Sequence, residues 1–253
     1  MKKALILWLC LLSLLLVSCG EKQSKEIAAL QNRVDALEAI VEEKEMEHLK
    51  WGCLGDSLTE ENSRTSKHYF DYIAEKTGIE VVNMGLSGSG YYRKKDDNKA
   101  FFQRALDIPA DADVVTIFGS GNDCEFVNSA LGSETDTGTD TICGCINETI
   151  DAIYEVNPTV QLGIIAPTPW KDNTPADNET MARYCEKLEA ICEKRGIPYL
   201  DLFHSSGLRP NDEEFRMLAY SKDDGNGVHP DETGHKMIAG QIYMFLQSLV
   251  GMY

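Results

Sequence analysis

Basic residues are scarce in this chain: 24 Lys and Arg stand against 41 Asp and Glu, for a formal net charge of −17. So acidic a surface repels phosphate backbones and anionic headgroups, which argues against nucleic acid and against a polybasic membrane patch, and leaves a neutral substrate as the easier partner. Metal-type cysteine pairs are missing as well. Cys143 and Cys145 are separated by one residue where zinc pairs use two to four, and no second pair completes a site. The acidic stretch Asp223, Asp224 and Asn226 is broken by glycine in a way that suggests calcium, but no glutamate closes an EF-hand-like loop. No metal and no cofactor are therefore expected. Nor does the N-terminal apolar run from Ala4 to Val17 reach membrane-spanning length: it has about fourteen residues, and a spanning helix needs roughly 20.

What stands at the N-terminus instead is Lys2 and Lys3, that short apolar run, and Leu16-Val17-Ser18-Cys19, the pattern of a secretory signal ending in what resembles a bacterial lipobox. The expected organisation is a lipoprotein signal peptide over 1–18, a lipidated Cys19 with a helical stalk over 19–48, and one large domain over 49–253. Loss of the signal removes two lysines and no acid, taking the formal charge from −17 to −19. Several acyl chains on Cys19 would hold the protein stably on the bacterial cell envelope, outside the cytoplasm. Such an oxidising setting permits disulfides, and Cys124 could close a loop onto Cys143 or Cys145. Cys185 and Cys192 lie about 10.5 Å apart along one helix, too far to bond each other, and read as core thiols.

In the stalk, Ile27, Leu30, Val34, Leu37 and Val41 alternate at steps of three and four, with β-branched residues at a and leucine at d. That seam suits a parallel two-stranded coil and hence a homodimer. About three heptads are marginal alone, so a single solvated spacer is the alternative.

Beyond the stalk, apolar runs alternate with helical patterns. Strands are expected at 49–54, 80–84, 113–118, 160–166 and 198–201, and helices at 66–77, 99–106, 141–157, 176–195 and 231–249. Strands alternating with helices imply a parallel sheet covered on both faces: an α/β, flavodoxin-like three-layer α/β/α sandwich with five strands. In such folds the site lies beyond the carboxyl ends of the strands, where Ser57, Gly88, Asn122 and His229 would converge.

Those residues sit in four stretches, "GDSLT", "VVNMGLSGSG", "FGSGND" and "GVHPDETGH". In this order and at these separations they resemble the SGNH, or GDSL-type, family of esterases and lipases over essentially residues 50–250. The resemblance implies Ser57 as nucleophile and His229 as general base. It implies an oxyanion hole made by the Ser57 and Gly88 backbone N–H groups and the Asn122 side-chain amide. Tyr91, Tyr92, Arg93 and Trp170 follow the relevant loops, where aromatic faces would suit a sugar ring or an acyl chain or would simply pack the loops.

One position departs from the family pattern. Where an aspartate is expected three residues before the histidine, this chain has Asn226. The acid could come from Asp224 or Asp223, with Asp224 the better placed. Alternatively a Ser57–His229 dyad could be steadied by Asn226, or catalysis could be weak. The expected function is a lipid-anchored serine esterase acting through an acyl-enzyme on a small-molecule or carbohydrate ester, with carbohydrate O-deacetylation as the specific form. The rival is an inactive domain of this fold that binds envelope glycan.

Overall fold

The computed structural model describes residues 21–92, 100–171, 175–222 and 227–251. The chain divides into two compact units, Met1–Met46 and Glu47–Tyr253. In the first, α1 spans Glu21–Met46 and leaves Leu30 and Leu37 exposed. The signal segment and Cys19 lie outside the described residues, as does the side chain of Val41. Among the described residues no helix is long and apolar enough to cross a membrane.

The second unit is built on five parallel strands: β1 (Lys50–Gly55), β2 (Glu80–Gly85), β3 (Val114–Phe118), β4 (Gln161–Ile165) and β5 (Tyr199–Leu200), in the order β2-β1-β3-β4-β5. Trp51 pairs with Val81 on one side and Val114 on the other, Val114 with Gln161, and Ile164 with Tyr199. This is the doubly wound order, with its switch point between β1 and β3. The central strands are apolar on both faces because both are covered: all five residues of β3 are buried.

Four longer helices do the covering: α2 (Tyr69–Thr77), α5 (Ile142–Val156), α6 (Pro175–Arg195) and α9 (Glu232–Val250). Side chains alternate along the strands, so Val115, Ile117, Leu162 and Ile164 enter one cluster with Ile146 and Ile150 of α5 and Leu188 of α6. On the other face Trp51 Nε1 donates to Thr116 Oγ1 at 2.9 Å, and the Trp51 ring packs on Tyr69 of α2. Helix α9 runs against α2, β3 and β4. It comes so close to β4 that a Cβ on Gly163 would lie 2.7 Å from Phe245 and Leu249 atoms.

Six shorter pieces complete the unit: α3 (Phe101–Arg104), α4 (Val127–Ala130), α7 (Leu202–Ser205), α8 (Glu213–Ala219) and two 3-10 turns, Ala105–Asp107 and Gly121–Phe126. The helix expected over 99–106 is thus a single turn that tightens into a 3-10 turn. The helix expected from 66 begins at Tyr69, where the Asp71 carboxylate accepts the His68 N–H at 2.7 Å.

The disulfide expectation is corrected. Cys53, Cys124, Cys143, Cys145, Cys185 and Cys192 are all free and buried. Cys143 and Cys145 open α5, which Thr141 caps by accepting the Gly144 N–H, and they point into the core beside Ile142 and Ile146. The Cys124 Sγ lies 3.2 Å from Met181 Sδ. Burial raises the thiols of Cys53, Cys124, Cys143, Cys185 and Cys192, to about 11 for Cys143 and about 12 for Cys192, so these five stay protonated at neutral pH.

Candidate active site

The chain leaves β1 at Gly55 and turns sharply, with the Asp56 carbonyl accepting the N–H groups of Thr59 and Glu60 at 3.1 and 2.9 Å. The turn requires glycine, since a Cβ on Gly55 would stand 2.2 Å from Thr59 Oγ1. Ser57 sits at its apex. His229 approaches from a strap that is fixed on both sides. Ser221 donates its N–H to the His229 carbonyl at 2.9 Å, and Lys171 donates to Gly227 O at 3.2 Å. Two residues beyond, Asp231 caps α9 by accepting the N–H groups of Thr233 and Gly234 at 2.8 and 3.2 Å. The outcome is a 2.8 Å hydrogen bond between Ser57 Oγ and His229 Nε2, joining residues 172 positions apart.

Gly88 lies in the turn after β2 with φ of 76°, a left-handed conformation that glycine adopts without strain. Among the described residues neither the Ser57 nor the Gly88 N–H has an acceptor, so both remain available as donors. The Asn122 side chain is oriented by a dense network. Its Nδ2 lies 3.2 Å from Asp56 Oδ2, 3.0 Å from Ser89 O and 2.9 Å from Ser120 Oγ. An amide has two hydrogens for these three acceptors, so bonding to an added oxygen would require one of them to yield.

Four residues of this network were not singled out as site residues in the sequence. Buried Asp56 accepts from the Leu58 N–H at 2.9 Å and from Ser120 Oγ at 2.7 Å. Burial raises its carboxyl, while the Leu58 N–H, Ser120, His229 and Arg104 pull it back down. Arg104, also buried, donates through Nη2 to Gly55 O at 2.9 Å and Ser89 Oγ at 2.8 Å, and through Nη1 to Met84 O. It therefore ties the ends of β1 and β2 to the glycine loop, and burial lowers its guanidinium only to about 10, leaving it charged. Asp123 accepts the Tyr91 and Tyr92 N–H groups at 2.8 and 3.2 Å and fixes the far end of that loop. Asp56, Ser120 and Asp123 lie inside the quoted motifs and could have been inferred from them; nothing in the sequence marks Arg104.

Tyr91 is a core residue rather than a rim residue, stacked edge-on against Phe101 at 4.9 Å, and Tyr92 packs on Phe126. Trp170 does face the site. It lines the crevice of about 60 Å³ at Ser57 together with Asn122, Thr168, Val228 and His229. Asn122, Trp170 and Val228 are shared with an adjoining cavity of about 470 Å³ that also takes in Glu125, Asn128, Lys171 and Asp177. Asp223, Asp224 and Asn226, the candidates for the residue behind His229 and for calcium, lie outside the described residues, as does Arg93. Among the described residues no group of acids, histidines and cysteines could hold a metal ion.

Chemically, a hydroxyl bonded to an imidazole nitrogen, beside unengaged backbone N–H groups, can attack a carbonyl and shelter the resulting oxyanion. Comparison with known proteins bears on this arrangement. A family model for GDSL-like lipases and acylhydrolases matches residues 53–237. Among solved structures, a Lactobacillus plantarum protein is 24% identical over 79% of this chain and 97% of its own, with a TM-score of 0.69. A possible lipase from Chitinophaga pinensis is 20% identical over 80% and 99%, with a TM-score of 0.61. The aryl esterase of M. smegmatis is 15% identical over 79% and 99%, with a TM-score of 0.57. At these identities the likeness is one of fold. No curated protein matches the chain.

Proposed function

The chain belongs to the GDSL-like lipase/acylhydrolase family, and from that premise we propose that it is a serine esterase that removes short acyl groups from a carbohydrate, held on the bacterial envelope by a lipidated Cys19. The observation that carries the reading is the 2.8 Å contact between Ser57 Oγ and His229 Nε2. For Nε2 to accept the hydroxyl proton, the ring must carry its own proton on Nδ1, which leaves that edge for a partner in the 223–226 segment, Asp224 by preference.

Ser57 Oγ attacks the ester carbonyl as His229 takes its proton. The oxygen that becomes negative is met by the Ser57 and Gly88 N–H groups and the Asn122 amide. His229 then protonates the departing alcohol, and the acyl group stays on Ser57. Water, deprotonated by His229, attacks the acyl-enzyme, and the acid leaves with Ser57 restored. The small crevice at Ser57 supports a short acyl group, and the cavity beside it, with Glu125, Asn128 and Asp177 in its wall, supports a hydroxylated alcohol. The acidic composition favours an uncharged one. The exposed Leu30 and Leu37 support pairing of the stalk with a second copy.

The test is hydrolysis of p-nitrophenyl acetate against p-nitrophenyl octanoate by the full chain and by Ser57→Ala, Asp224→Ala and Asn226→Ala. The expected result is Ser57-dependent turnover with kcat/KM higher on the acetate, and a larger loss at Asp224 than at Asn226. Preference for the octanoate would overturn the short-acyl assignment. Absence of Ser57-dependent turnover from folded protein would favour a glycan-binding domain without catalysis.

A further inference from the structure

Trp170 forms part of the wall of three cavities: the crevice at Ser57, the adjoining cavity, and a third groove of about 670 Å³. The third is lined by the Trp170 and Phe203 rings, by Asn178 and Glu179 of α6, and by Arg209 and Asn211 of the loop after α7. It contains neither Ser57 nor His229, so the acyl transfer described above does not use it. Its shared wall is held in place. The Trp170 ring rests on Gly121, where a Cβ would come within 2.6 Å of it, and the neighbouring Pro169 carbonyl accepts from buried Tyr220 Oη at 3.2 Å. A ligand portion lying in the groove would therefore meet a fixed aromatic plate whose other contacts border Asn122 and the nucleophile.

The chemistry of the lining selects the occupant. Aromatic faces beside planar amides and a carboxylate suit a ring that is apolar on its faces and hydroxylated at its edge. The basic side chains are already matched. Arg209 lies 3.6 Å from Asp212 and over the Phe215 ring at 4.2 Å, and His204 Nδ1 lies 2.6 Å from Asp201 Oδ2. Glu179 adds a negative charge to a protein that is strongly acidic overall. A phosphorylated or otherwise polyanionic ligand is thus disfavoured, and an uncharged one fits.

We propose that this groove is a distal subsite that holds an unmodified sugar residue of an uncharged oligosaccharide, with Trp170 as the platform between that residue and the one carrying the ester. The location of the ester rests on the esterase reading, but sugar binding in the groove does not.

The experiment uses the full chain carrying Ser57→Ala, titrated with unesterified cellotetraose, xylotetraose and chitotetraose and followed by calorimetry and tryptophan emission. At least one tetrasaccharide is expected to bind. The paired substitution Glu179→Ala/Asn211→Ala, at two exposed positions, should weaken that binding at least tenfold. In parallel, acetylated forms of the same sugars are hydrolysed by protein with Ser57 intact. There the paired substitution should lower kcat/KM on an acetylated tetramer at least tenfold more than on p-nitrophenyl acetate. Failure of all three sugars to bind, or binding and tetramer hydrolysis indifferent to the pair, overturns the subsite even if Ser57-dependent hydrolysis of p-nitrophenyl acetate persists. Binding that the pair abolishes, with no Ser57-dependent hydrolysis of any ester, upholds the subsite and overturns the esterase reading.

Discussion

Alanine at Ser57 is expected to lower kcat on p-nitrophenyl acetate by about 10⁴-fold or more, alanine at His229 by a comparable factor, and the two together by little more than either alone. In the proposed mechanism Oγ and Nε2, 2.8 Å apart, act as one unit. Without the hydroxyl there is nothing for the imidazole to activate, and without the imidazole the hydroxyl keeps its proton at neutral pH. Each single change therefore removes the whole function of the pair. The residual rate would come from the N–H groups of residue 57 and Gly88 and from the Asn122 amide, which polarise a carbonyl toward water. Factors that multiplied in the double variant would mean that the two residues act independently. Circular dichroism of each variant checks that the comparison is between folded proteins.

A loss of stability in mild acid, centred on His235, is the second large effect. This residue of α9 is buried, its Nδ1 accepts the Tyr69 N–H at 3.3 Å, and its ring lies 5.1 Å from that of His68. Burial first, and then the nearness of His68 and His229, lower its pKa from 6.5 to about 3. The unfolded chain thus binds a proton that the folded chain refuses between those two values. Stability from this group is complete above about pH 6.5 and falls as pH drops toward 3, by up to about 5 kcal/mol across the whole interval at 1.36 kcal/mol per pH unit. His68 is shifted in the same direction by burial, with Asp71 opposing, and adds to the slope. Asp56 acts in the opposite sense, because its buried carboxyl is raised. Urea unfolding at pH 7.0, 5.5 and 4.5 tests this against His235→Gln, whose side-chain oxygen can still accept the Tyr69 N–H. The wild type should lose about 2.5 kcal/mol more than the variant between pH 7.0 and 4.5. Parallel slopes would remove His235 from the account.

The sheet was legible in the sequence because several strands are short apolar runs, β-branched in β3 and β4, that alternate with helical patterns, as a parallel sheet covered on both faces requires. The covering helices were legible by their length. The one- and two-turn helices α4, α7 and α8 were not: seven residues or fewer do not establish a period, and Asp201 and Asp212 resemble any turn aspartate until they are seen to cap. Ser57, Gly88, Asn122 and His229 could be named because each lies in a compact motif just after a strand or before a long helix, and the topology does the rest. Arg104 could not, since its role depends on carbonyls at Gly55 and Met84, which a helical pattern does not anticipate. Cysteine count misled for a related reason. The exported setting expected from the N-terminus says only what oxidation would permit, whereas Cys124, Cys143 and Cys145 are free and buried in the core. For Tyr91, which follows the Gly88 loop, the sequence left ligand contact and loop packing both open; it packs in the core, with its N–H held by the Asp123 carboxylate.

The claim at the centre of this account is that His229 makes Ser57 a nucleophile. It is tested most directly by treating the full chain with a fluorophosphonate at neutral pH and locating the adduct by mass spectrometry, with Ser57→Ala and His229→Ala alongside. The account predicts one phosphonyl adduct, on Ser57, absent from Ser57→Ala and strongly slowed in His229→Ala. An unlabelled wild type, or labelling that survives both substitutions, would contradict it.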